Sequence, residues 1–166
     1  MHVYTKTGDA GETGLYTGER VKKSSLRVDV YGTIDEADAA FGMARAFATK
    51  AEVKTAILGI QKKLSSLMAD IASLDKGPII HEEDVIALES AMDDIEERLP
   101  KLTSFLIPGG SPAGACLDHA RTVVRRAERR FCELAEHEDV HGTDRRFLNR
   151  LSDYAFLLMR LEETNV

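Results

Sequence analysis

The chain is predicted to be all-α, a five-helix bundle behind an irregular, glycine-rich N-terminal arm. Three observations lead there. Five segments between Ser25 and Glu163 repeat apolar residues at three- and four-residue steps. Helix stops stand where those patterns fade, notably Gly77-Pro78 and Pro100. Residues 1–24 carry four glycines among threonines and lysines and keep no such period. A length of 166 residues supports one sizeable core, so 1–166 is read as one domain, with 1–24 as the arm and 25–166 as the bundle.

The arm contains Thr5-Lys-Thr7-Gly8-Asp9-Ala-Gly11-Glu-Thr13-Gly14 and Thr17-Gly18-Glu-Arg20-Val-Lys-Lys23. Glycine lets backbone N–H groups approach a phosphate chain closely, so such a segment suits an anion. No Gly-Lys-Ser/Thr follows, so it is not a Walker A loop. A flexible arm with a hairpin is the plainer alternative.

The first helix is expected from Ser25, as cap, to Thr49, on Val30, Ile34, Ala37, Phe41 and Ala44. Asp35 lies on a different arc, with Tyr31, Asp38 and Gly42. The second helix, Ala51 to Leu74, buries Val53, Ile57, Ile60, Leu64, Leu67, Met68 and Ile71. The third, Glu82 to Leu99, runs on Val85, Leu88, Met92, Ile95 and Leu99, with acidic residues in its first turn. An apolar loop follows, Phe105-Leu-Ile-Pro108-Gly109-Gly110-Ser-Pro112, whose aromatic suits either a core plug or a wedge against a flat ligand.

The fourth helix, Pro112 to Glu138, has an apolar face of Ala120, Val123, Val124, Ala127, Phe131 and Leu134. Arg121, Arg125 and Glu128 fall within an arc of roughly 60° along its border. An ion-paired helix edge and a binding stripe are both open for them, while Arg126 and Arg130 point elsewhere, to solvent or a neighbouring subunit. The fifth helix, Thr143 to Glu163, is apolar on several sides and expected to be largely buried. Asn149, Asp153 and Arg160 form a polar line within about 40° on it. Unpaired buried polar groups cost roughly 1 to 3 kcal/mol each, so that line needs partners, and the stripe on the fourth helix is the natural set.

Composition narrows the function. A net charge of −6 and a pI near 5.4 argue against a general nucleic-acid binder. No apolar run approaches the ~18 residues of a membrane span, and Met1-His-Val-Tyr-Thr-Lys6 has no secretory h-region, so a cytoplasmic protein is expected. Cys116 and Cys132 share one helix roughly 24 Å apart, too far to bridge, and read as packing residues.

The motifs, taken together, are specific. Tyr4-Thr-Lys-Thr-Gly-Asp9 with Thr17-Gly-Glu-Arg20, Tyr31-Gly-Thr-Ile-Asp-Glu36, Phe105-Leu-Ile-Pro-Gly-Gly110, Arg125-Arg-Ala-Glu-Arg129 and Phe147-Leu-Asn-Arg-Leu-Ser-Asp-Tyr154 occur in order along the chain. This series resembles that of the PduO-type ATP:cob(I)alamin adenosyltransferases. The chain departs from the usual pattern at Ala37-Asp38, where the family commonly has Leu-Asn, and in the order Phe105-Leu-Ile-Pro.

The resemblance implies a homotrimer with active sites between adjacent subunits. It implies transfer of the 5'-deoxyadenosyl group of ATP to the cobalt of a reduced corrinoid, cob(I)alamin or a relative, with release of triphosphate and use of Mg²⁺. By motif, Thr5, Lys6, Thr7, Gly8, Thr13, Gly14 and Lys23 would surround ATP with Arg125, Glu128 and Asn149, the last two holding Mg²⁺ directly or through water. Asp35 would pair with Arg121 across the subunit boundary, and Phe105 would press on the lower face of the corrin. The implied partners are a flavoprotein reductase and an adenosylcobalamin-dependent enzyme. The alternative within the same fold is a non-catalytic trimeric module that holds and delivers ATP or adenosylcobalamin.

Overall fold

The computed structural model describes Tyr4 and residues 6–164; Thr5, one of the expected ATP ligands, lies outside the described residues. Five helices form: α1 (Leu26–Phe47), α2 (Ala51–Ile71), α3 (Glu82–Arg98), α4 (Pro112–Ala135) and α5 (Gly142–Glu163). The arm contains a hairpin, β1 (Glu12–Gly14) antiparallel to β2 (Arg20–Lys22), with Thr13 opposite Val21. The all-α expectation therefore stands with this small addition.

Helix α4 packs most extensively against α1 and α5, while α2 lies on α1 and α3 on α5. The apolar positions read from the helical period are the core: Val30, Ile34, Phe41, Val53, Ile57, Leu64, Leu67, Leu148, Leu151 and Leu158 are essentially inaccessible. Phe41, Phe131 and Phe147 supply the largest buried side chains. Tyr154 and Leu157 are buried too, so α5 is enclosed on several sides as its sequence suggests.

Several local expectations need correction. Ser25 occupies the N-cap position of α1 in extended backbone, yet its hydroxyl makes no cap bond and is buried with no partner among the described residues. Asp29 supplies the negative charge in that first turn instead. Helix α2 stops at Ile71, three residues before Leu74, because the arm competes for its end: Leu74 N donates to Thr17 Oγ1 at 3.1 Å and Tyr16 N to Ala72 O at 2.8 Å. Arg126 and Arg130 are not free on the surface; they reach α1, Arg126 pairing with Glu36 and Arg130 with Asp29 at 3.0 Å.

The helix termini gather into two clusters. At one, Arg27 is buried and donates to Ile71 O at 2.7 Å, Asp139 O at 3.2 Å and the Glu138 carboxylate at 2.8 Å, tying the start of α1 to the ends of α2 and α4. At the other, the last turn of α5 meets the α1–α2 connection and the segment between α3 and α4. A helix of 22 residues is about 33 Å long, so the two clusters lie roughly that far apart. The arm is fastened to the first cluster and Phe105 belongs to the second.

Candidate active site

The seam between α4 and α5 begins with Glu128 and Asn149, where Asn149 Nδ2 donates to Glu128 Oε1 at 2.9 Å. Asn149 Oδ1 accepts from Arg150 Nη1 at 2.7 Å, and Arg150 Nε donates to Glu89 Oε1 at 2.7 Å. Each amide group of Asn149 is thereby oriented. The expected meeting of the two polar lines is real at this point.

One to two turns away, Arg121, Arg125 and Asp153 border a cavity of about 300 Å³ walled by Phe105, Phe156 and Met159. Arg121 is braced by Asp118, Nε to Oδ1 2.8 Å, a pair three residues apart on α4. Arg125 is exposed and, among the described residues, has no carboxylate partner. An arginine fork left unpaired at the mouth of a cavity is available for an anion, and its planar geometry suits two oxygens of a phosphate.

Phe105 is fully exposed at 100%, and Ile107 follows at 91%. It does not plug the core, the first of the two alternatives the sequence left open. Exposing a phenyl ring forgoes roughly 1.5 to 3 kcal/mol of burial and, with Ile107 beside it, leaves an apolar surface open to a ligand or partner.

The arm brings part of its expected set together. Lys23 N donates to Gly11 O at 2.9 Å, and a Cβ built on Gly8 would stand 3.0 Å from Lys23 Nζ, so the glycine leaves room for the ammonium. Arg20 Nη2 donates to Thr7 O at 2.9 Å, Lys6 takes a positive φ of 60°, and Thr13 and Gly14 lie in β1. Among the described residues, however, neither strand packs extensively on α4 or α5. Within one chain the arm and the seam, which carry the two groups of expected ligands, are not brought together.

One expectation changes. Arg160 does not meet the α4 stripe; its Nη2 donates to Pro100 O, because by the last turn of α5 the neighbouring element is the α3–α4 segment. The Asp35–Arg121 pair, expected between protomers, is not formed within one chain, where Asp35 is exposed and Arg121 is held by Asp118. For Mg²⁺, Glu128 keeps Oε2 uncommitted among the described residues, whereas Asn149 Oδ1 is engaged by Arg150. Mg²⁺ retains waters and needs one or two protein oxygens beside phosphate, so Glu128 fits as a ligand and Asn149 as the holder of a coordinated water.

Sequence reasoning missed Asp118, Arg150 and the pair Asp70 and Asp144. Asp118 was legible from its i,i+3 spacing to Arg121. The carboxyl pair was not, since Asp70 and Asp144 are 3% and 1% exposed on different helices. Asp70 Oδ2 accepts from Ile79 N at 2.7 Å and Ile80 N at 2.8 Å. Burial, then the Asp70 charge and their shared hydrogen bond, pushes the Asp144 carboxyl up to about 8.

The fold and site define a class, an all-α bundle that offers an anion-ready arginine and a bare aromatic at one open cavity. The comparisons make it specific: the cobalamin adenosyltransferase family profile matches residues 3–162, and the chain belongs to that family. It is 42% identical to the corrinoid adenosyltransferase PduO of Citrobacter freundii over 98% of this chain, and spans about half (50%) of that relative's length. It is also 42% identical to the corrinoid adenosyltransferase of Bacillus subtilis, covering 97% of this chain and 86% of that one. A phenylalanine-to-histidine variant of the PduO-type ATP:corrinoid adenosyltransferase from Lactobacillus reuteri, complexed with cobalamin and ATP, superposes with a TM-score of 0.89 at 29% identity. That alignment covers 98% of this chain and 91% of the other.

Proposed function

We propose that this protein transfers the 5'-deoxyadenosyl group of ATP to the cobalt of a reduced corrinoid, releasing triphosphate, at sites built between protomers of a homotrimer. The observation that carries the reading is the fully exposed Phe105 beside a cavity bordered by the unpaired Arg125 and by Arg121. Membership of the family and the likeness to a protein complexed with cobalamin and ATP support it.

Cobalt(I) is itself a strong nucleophile, so no general base is required of the protein. Its electron pair forms the cobalt–carbon bond to the ribose C5' as the C5'–O bond breaks, and that bonding pair leaves on the triphosphate. The Arg125 guanidinium, Lys23 and the N–H groups around Gly8 and Gly11 stabilise the charge that grows on the leaving oxygens. Mg²⁺, when bound, adds positive charge to the same phosphates, with Glu128 and Asn149 as its holders.

The reduction that generates cobalt(I) is hard while an axial base occupies the lower face of cobalt(II). Phe105 answers that difficulty by covering the lower face with a ring that donates nothing. Asp35 and Arg121 of adjacent protomers then set registry beside the corrin.

Two observations support a second protomer at the site. The cavity beside Phe105 is an open cleft of about 300 Å³ walled by one chain on one side, and the arm lies away from the seam within that chain. Incubation with ATP, Mg²⁺ and chemically reduced cobalamin is expected to give the visible spectrum of adenosylcobalamin in multiple turnovers. Binding of ATP and corrinoid with no spectral conversion would instead assign the delivery module.

A further inference from the structure

We propose that the last turn of α5 is a clamp that positions the Phe105 loop, with Arg160 holding its first end and Glu163 its second. The proposal rests on the reading of Phe105 given above. The loop, residues 99–111, leaves α3 after Arg98 and enters α4 at Pro112. Residues 101–110 are exposed, and among the described residues they share no backbone–backbone hydrogen bond. A segment of that kind has little to fix it internally. Leu106 packs partly beside Phe156 and Met159, and the hydrogen bonds that fix the loop, among the described residues, sit at its two ends.

Arg160 Nη2 donates to Pro100 O. This guanidinium is 9% exposed and has no ion-pair partner among the described residues, an arrangement that costs desolvation without the return of a salt bridge. At the other end, Glu163 Oε1 accepts from Ser111 N at 2.8 Å and from Ser111 Oγ at 3.2 Å, while Ser111 Oγ accepts from Gly114 N at 2.9 Å. The carboxylate thus completes the cap of α4, where the helix dipole favours negative charge.

Two glycines make space for it. A Cβ on Gly114 would lie 1.9 Å from Glu163 Oε1, and one on Gly110 would lie 3.0 Å from the same carboxylate. Glu162, between the clamp residues, does a different job: its Oε1 accepts from Thr49 N at 2.6 Å and Thr49 Oγ1 at 2.7 Å, pinning the α1–α2 connection. It therefore serves as an internal control for damage to the same turn.

The chain has no tryptophan, so Ile107→Trp places a lone emission reporter on the loop. In that background Glu163→Ala, Arg160→Met and Gly114→Ala are expected to lower the emission anisotropy. Gly114→Ala favours the helix by propensity while its Cβ displaces the carboxylate and crowds Ser111 Oγ, 2.9 Å away, so it loosens the same cap from the other side. The same variants are expected to lose roughly tenfold to a hundredfold in kcat through a misplaced Phe105, and to weaken the base-off cobalt(II) spectrum. KM for ATP is expected to stay within about twofold.

Glu163→Gln keeps an oxygen for Ser111 N and is expected to restore most of the anisotropy and turnover. Glu162→Ala is expected to lower the melting temperature and leave the reporter unmoved. Unchanged anisotropy in Glu163→Ala and Gly114→Ala, or an equal drop in Glu162→Ala, would overturn the clamp. Because anisotropy is read without substrate, that failure is separate from the failure of the proposed function, which would show as no adenosylcobalamin from the unsubstituted protein.

Discussion

Phe105 and Arg125 show how a side chain's surroundings decide its use. A phenylalanine in an apolar loop reads equally as a plug or a wedge, and its complete exposure rules out the plug. Phe105→Ala is expected to bind corrinoid but to lose the base-off cobalt(II) spectrum; an unchanged spectrum would remove the wedge. Arg125 is exposed beside a paired Arg121, which separates two arginines that share one arc in the sequence. Arg125→Lys keeps the charge and loses the fork, so turnover is expected to fall by roughly 10²-fold with assembly intact. Steady-state rates and gel filtration together check this. Neither exposure nor pairing was readable from spacing, because both depend on what the neighbouring helix brings.

The helices themselves were largely legible, since a 3.6-residue period of apolar side chains is a local property that packing reinforces. Their ends were less so. Ser25 fails to cap α1 and α2 stops early where Thr17 takes its N–H, because caps answer to whichever group is nearest in space. The start of α5 carries a testable consequence. Asp144 joins Asp70 beneath His141, whose Nε2 lies 3.5 Å from Asp70 Oδ1, while Arg27 is engaged with backbone carbonyls and Glu138 at the same cavity.

With its carboxyl raised to about 8 in the folded protein, Asp144 contributes stability that is fully present below its ordinary value of 3.8 and is lost as pH rises through about 8. Asp144→Asn removes that titration. The melting temperature of the variant relative to the parent is expected to rise between about pH 4 and about pH 8 and to level off above it, and a pH-independent difference would break the assignment.

At the scale of the whole molecule, arm and seam stand apart in one chain, which is what the proposed site shared between protomers of a trimer would join. Lys23→Ala disables the arm half and Arg125→Ala the seam half. Mixed trimers co-expressed from both genes are expected to regain about a quarter of the parental activity, since one in four interfaces then pairs two intact halves. Mixtures as inactive as each parent variant would place both halves in one protomer. Composition, period and motif order were enough to establish a five-helix bundle, its core residues and its family, because those follow from local hydrophobic pattern and from residues read in sequence. Which arginine is free, which aromatic is bare, that Glu163 fills the space beside Gly114, and that Asp70 meets Asp144 were decided by tertiary structure. Such facts depend on distances between residues far apart in the chain, and no local period encodes them.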